Sequence, residues 1–174
     1  FDFDLQEEIK KTNEPKRIEE LIEQYKIYLS TSENVITRRQ SVSSFYLGIN
    51  KALLSLIATI GGILFGIENI SNKMVIIATI SFLISILGII LSINWYNIIG
   101  SYGKLNSAKM KVISNLEKLL PANIYDTEWR VMNEKVGYTK YSPFTNIERR
   151  VPITFLVLYV IIIILSLLGF IIFI

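Results

Sequence analysis

Histidine and cysteine are both absent from this chain of 174 residues. That removes disulfides, thiolate nucleophiles, imidazole bases and the usual zinc ligands. The motifs that announce catalysis are missing too: there is no P-loop, GxGxxG, HExxH or GxSxG. Acid and base chemistry would fall to Asp, Glu, Lys or Tyr, and the carboxylates are scattered over helix faces without a paired motif. No enzyme is expected, and no catalytic, cofactor-binding or metal-binding residue is assigned. Ionisable groups are also lacking in the cores of the apolar blocks, where a transporter or proton pump would place them. The net charge, +3, is small, and no nucleic-acid partner is expected.

What the sequence has is apolar length. About half of its residues are hydrophobic and its mean hydropathy is positive, +0.44, a combination rare in a soluble protein of this length. The block from Met74 to Ile99 holds no charged side chain, and Met74 to Trp95 as a helix covers roughly 31 Å, the thickness of a bilayer's hydrocarbon core. Leu47 to Ile67 makes an earlier span, with Lys51 near its entrance and able to snorkel. Val151 to Ile174 makes a third, free of charge. Glu68 to Lys73 is too brief for a domain, so spans one and two form an antiparallel hairpin. The expected fold is all-α: a polytopic integral membrane protein with three transmembrane helices and amphipathic cytoplasmic helices. Its segments are residues 1–46, the hairpin 47–99 (spans 47–67 and 74–99), 100–150, and 151–174.

Within span two, Ala78, Ser81, Ser85, Gly88, Ser92 and Trp95 fall at alternating steps of three and four. This small face is the candidate packing or oligomer seam, because small residues let helices approach closely in lipid. Ser side chains there could instead line a wet pore; packing is the preferred reading. Gly62 and Gly66 form a GxxxG in span one, read either as a tight helix contact or as chance spacing in a glycine-tolerant membrane helix.

The polar segments read as helices. Leu5 and Ile9 mark a short apolar face; Pro15 suits the first turn of a new helix on which Ile18, Leu21, Ile22, Tyr25 and Leu29 recur at helical spacing. Ser30 with Glu33 is a candidate capping box that would restart the helix. Gly100 and Gly103 loosen the exit from span two. Beyond them Leu105, Ala108, Val112, Leu116 and Leu119 lie on one face of a second amphipathic helix that Pro121 ends. Asp126 or Thr127 caps a short helix carrying Trp129, and Thr145 with Glu148 is another candidate capping box. The first residues are acidic and polar and show no signal peptide; Phe1 in place of Met leads to the expectation that the native start lies upstream.

Seven Lys and Arg residues precede span one, nine lie between spans two and three, and the intervening turn has only Lys73. The positive-inside rule places both polar segments, and the N-terminus, in the cytoplasm. Trp95 and Tyr96 then belong to an aromatic belt at that interface. Arg38, Arg39, Lys104, Arg149 and Arg150 read as topology signals and interface anchors, the preferred reading, or as a grip on anionic lipid head groups, a nucleotide phosphate or another cytosolic ligand.

Certain stretches carry a resemblance. YLS followed by RRQ, the WY closing span two, SYGKLNSAKMKVISNLEKLLP, YDTEW and IERRVP together resemble the RipA family of small octameric bacterial membrane proteins. The resemblance implies a homo-octamer in the bacterial cytoplasmic membrane, with no catalytic residues to carry over. The chain is also similar in outline to two-span effectors of nucleotide-signalled phage defence, although its third apolar block departs from their plan. The expected function is a non-enzymatic, structural or regulatory membrane assembly whose partners are lipid and its own copies. The alternative is a gated pore or membrane-disrupting effector.

Overall fold

A computed structural model describes residues 15–67, 72–120, 122–133 and 144–173. Every regular element among them is a helix: α1 (Pro15–Gly66), α2 (Lys73–Glu117), α3 (Ile124–Asn133), α4 (Phe144–Glu148) and α5 (Arg150–Phe173). Three stretches, Ile18–Gly66, Lys73–Glu117 and Thr145–Ile172, are long and apolar enough to cross a membrane. Leu5 and Ile9 lie outside the described residues.

Helix α1 has 52 residues and α2 has 45, about 78 and 68 Å of rise against a hydrocarbon core of about 30 Å. Each therefore extends well beyond a bilayer. The restart expected at Ser30 does not occur. Thr31 donates back to the Tyr28 carbonyl at 2.8 Å and Thr37 to the Glu33 carbonyl at 3.2 Å; these side chains bond to the helix they sit in instead of capping a new one. Gly100 and Gly103 do not loosen α2 either. Ser101 and Ser107 make the same kind of back-bond, to the Asn97 and Gly103 carbonyls, and the helix runs unbroken to Glu117. Two tight turns, Leu119 N–H to Leu116 O and Leu120 N–H to Glu117 O, close it.

Between α1 and α2, Asn72 has φ 60°, the left-handed conformation that Asn tolerates better than most residues. Its carbonyl accepts from the Val75 and Ile76 amides and so starts α2. Lys73 reaches back to the end of α1, its ammonium 3.4 Å from the Phe65 carbonyl and 5.4 Å from the centre of the Phe65 ring.

The chain divides into two compact units, one within Phe1–Arg38 and Tyr102–Ser142, the other within Arg39–Ser101 and Pro143–Ile174. These divisions differ from the hydropathy boundaries at 46/47, 99/100 and 150/151. Arg39 and Ser43 bond to Thr145, Glu148 and Trp95, and those contacts assign them to the span-containing unit although their own surroundings in sequence are polar.

The core of the span-containing unit is the seam of α2. Ala78, Ser81, Ser85, Gly88, Ser92, Trp95 and Ile99 are all buried, at steps of three and four, the periodicity of knobs-into-holes packing. In the other unit the buried positions on α2 are Ile113 and Glu117. Leu105, Ala108 and Val112, grouped with Leu116 as one apolar face in the sequence reading, are exposed. The buried face is rotated from them because Glu117 and Lys109 are bonded to α1 side chains and fix which side turns inward.

Candidate functional site

The span-containing unit is joined by a buried polar knot. Asn50 on α1 and Tyr159 on α5 are both 0% exposed, and Ser92 on α2 is 1% exposed. Asn50 donates to the Tyr46 carbonyl at 2.8 Å, and its side-chain oxygen accepts from Ser92 at 3.3 Å. The Ser92 hydroxyl also lies 2.8 Å from the Gly88 carbonyl. The Tyr159 hydroxyl donates to the Asn50 carbonyl at 3.3 Å. Three helices thus share one set of hydrogen bonds, at a depth where unsatisfied polar groups are costly.

Gly88 makes room for the knot. A Cβ at that position would overlap the Tyr159 ring, so the ring lies directly on the α2 backbone. Toward the N-terminal side of Asn50, Tyr46 stacks on Trp95 with ring centres 6.1 Å apart and planes 10° from parallel, and Trp95 meets Phe155 at 6.1 Å. Trp95 Nε1 points to Ser43 Oγ at 3.5 Å.

The basic residues have distinct fates. Arg39 Nη2 donates to Glu148 Oε1 at 3.3 Å, Nη1 reaches Thr145 Oγ1 at 3.4 Å, and Nε lies 3.2 Å from Glu148 Oε2 as an ion pair off the hydrogen-bond line. The Thr145 and Glu148 side chains, read from sequence as a capping box, are thereby engaged by α1. Arg149 lies over Tyr96, 4.8 Å from the ring centre, and a Cβ at Gly100 would overlap its guanidinium. Arg38 and Arg150 are exposed.

The remaining seam residues are less tied. Ser81 and Ala78 line a groove of about 300 Å³ with Met74, Ile77, Ile162, Leu165, Ser166 and Gly169. Ser85 is fully buried and its hydroxyl has no partner among the described residues. Gly62 and Gly66 are exposed, and among the described residues nothing lies within 4 Å of where their Cβ atoms would stand.

A second joint lies in the other unit. Glu117, 1% exposed, accepts from the Tyr25 hydroxyl at 3.0 Å, from the Tyr125 amide at 3.0 Å and from the Asp126 amide at 3.3 Å. Its carboxylate therefore caps the first turn of α3 and meets the positive end of that helix dipole. The capping role expected of Asp126 or Thr127 is taken by Glu117. Asp126 sits inside the first turn, and Thr127 bonds back to the Asn123 carbonyl at 2.6 Å. Burial, then the hydrogen bond to Glu117 and its charge, push the Tyr25 phenol up to about 12. Tyr125 is raised as well, chiefly by burial and then by the carboxylates Glu128, Glu33 and Glu117. Nearby, Lys109 donates to Thr31 at 3.0 Å and lies 4.7 Å above the Tyr28 ring.

Asn50, Tyr159 and Glu117 are absent from the site residues assigned by sequence. Tyr159 left a faint signal, as one of three polar interruptions in the last apolar block. Asn50 and Glu117 left none, since each reads as an ordinary polar residue at a span entrance or helix end. Among the described residues no group of three acidic side chains is placed to hold a metal ion.

Long apolar helices pinned by buried polar knots define an all-helical integral membrane protein. The chain belongs to the octameric membrane protein family (8xMP), whose family model matches residues 22–168. No curated protein and no solved structure matches it.

Proposed function

We propose that this chain is a non-enzymatic scaffold, structural or regulatory, that works as a homo-octamer in the bacterial cytoplasmic membrane with its N-terminus and both polar segments in the cytoplasm. The observation that carries this reading is the use made of buried polar groups. Asn50, Ser92 and Tyr159 bond to one another or to backbone across helices, and Glu117 caps α3. Groups with catalytic potential are thus committed to holding elements together. The excess of Lys and Arg in the two polar segments supports the orientation, and the exposed Arg38 and Arg150 suit contact with anionic lipid head groups. No nucleic-acid partner is part of this reading.

The rival is a gated pore or membrane-disrupting effector, including one acting in nucleotide-signalled phage defence. It draws on Ser55, Thr59, Gly62 and Gly66, which are exposed on α1 at helical spacing, and on Asn94 and Asn97, exposed on α2. A ring of such faces could enclose water that no single protomer encloses. Planar bilayers holding the purified octamer decide between the two: the scaffold reading expects no currents across lipids and voltages, and currents gated by a cytosolic ligand would overturn it.

A further inference from the structure

Helix α2 carries a second seam in the unit that contains Tyr25 and Glu117. Its first seam there, Ile113 and Glu117, is buried within the chain. The second runs through Leu105, Ala108, Val112 and Asn115, at steps of three, four and three. Leu105 is 45% exposed and Val112 40% exposed. Such steps are the a and d positions of a coiled coil. With Leu105 and Val112 at a, Lys104 and Lys111 both fall at g, the position whose charge selects a partner helix, and Lys118 follows one heptad later in the closing turn. A stretch with this density of lysines does not sit in hydrocarbon, so its aliphatic side chains face water unless a neighbour covers them.

We propose that this seam is the contact surface for α1 of a second copy of the chain, centred on Ile27. Ile27 is 59% exposed. At about 100° per residue it points roughly opposite to the inward-facing Tyr25. The exposed Glu20 and Glu23 flank it, with Glu19 nearby. Glu23, one turn before this aliphatic knob, is the carboxylate that meets the lysine edge of the seam, at Lys118.

The geometry of a membrane ring sets the level of the contact. Copies that share one topology in one bilayer are related by rotation about the membrane normal, because a two-fold axis in the membrane plane would invert half of them. Rotation of that kind keeps every residue at its own height. Within the unit, Tyr25 bonds to Glu117 and Thr31 to Lys109, so Ile27 stands level with the stretch from Val112 to Asn115. A neighbour's Ile27 reaches the seam without axial shift, and its Glu23 comes level with Lys118. The seam and its acceptor are different surfaces on one chain, which is what a closed ring of more than two members requires.

Because the sequence has no cysteine, engineered thiols can be crosslinked without background. The full chain carrying Ile27→Cys and Val112→Cys, solubilised in mild detergent and treated with a short bismaleimide, is expected to give a denaturing-gel ladder that climbs to the octamer. A link confined to the monomer band overturns the proposal. So does a dimer formed by Val112→Cys alone, since like faces would then be meeting. In a second arm, Lys118→Glu is expected to lower the octamer fraction severalfold and the pair Lys118→Glu with Glu23→Lys to restore it; an unchanged octamer in the single variant counts against the charge match. The proposal rests on octameric assembly, and the native mass of the untreated chain tests that separately. An octamer without a ladder removes the seam alone, whereas a monomer removes the assembly as well.

Discussion

Gly88 and Gly62 lack the same Cβ to different ends. One accommodates the Tyr159 ring, and the other faces open space among the described residues. Gly88→Ala is expected to destabilise the protomer by about 1–3 kcal/mol, the usual cost of overpacking, whereas Gly62→Ala leaves protomer unfolding in detergent unchanged; equal effects would show that the ring does not rest on the backbone. The serines divide in the same way. Ser92→Ala loses a bond to Asn50, worth about 0.6 kcal/mol by the average for such bonds in membranes, while Ser85→Ala removes a buried hydroxyl with no partner among the described residues and is expected to cost nothing or to stabilise. Tyr25 gives a pH test. Its phenol is raised from 10.0 to about 12, so the stability it contributes is whole below pH 10 and is lost as the pH rises through about 12. Unfolding of the chain in detergent is expected to become easier across that window, and less steeply so in Tyr25→Phe, Tyr125 keeping a share of the dependence. The small face of span two was legible because in lipid the informative contrast is between bulky and small side chains, and its members are buried. Its partners were not. A bond from Tyr159 to Asn50 crosses 109 positions and leaves no periodic trace in the sequence.

At the scale of elements, the three spans could be read directly from length and hydropathy, since a bilayer of fixed thickness filters helices by those two properties. The ends of the elements were harder. Ser30 and Gly100 are a cap former and a helix breaker by local propensity, yet α1 and α2 pass through both. Local preference amounts to about 1 kcal/mol, less than the packing and hydrogen bonding that hold these helices on either side. Gly100 serves a contact instead, admitting the Arg149 guanidinium against α2. Gly100→Leu is therefore expected to push Arg149 off Tyr96 and to loosen the start of α5 without shortening α2. Faster amide exchange in residues 145–152 with unchanged exchange in 90–110 would show this; the reverse pattern would mean that the glycine matters for α2 itself.

For the whole molecule, the orientation is open to a direct measurement. A cysteine placed at Ile67, exposed just past the end of α1, is expected to react with a membrane-impermeant maleimide in intact cells, and one at Ser30 only after lysis. The opposite result would invert the topology. A consequence of the polar knot belongs to synthesis. Asn50 and Ser92 lie on the hairpin, so they find each other as soon as span two is made. Tyr159 is made 67 residues after Ser92, roughly 3–13 s later at ribosomal speeds. Through that interval the hairpin waits in the bilayer with the notch at Gly88 unfilled, a vacancy that keeps a place for the chain's own last helix and that any other helix with an aromatic side chain at the same depth could occupy first.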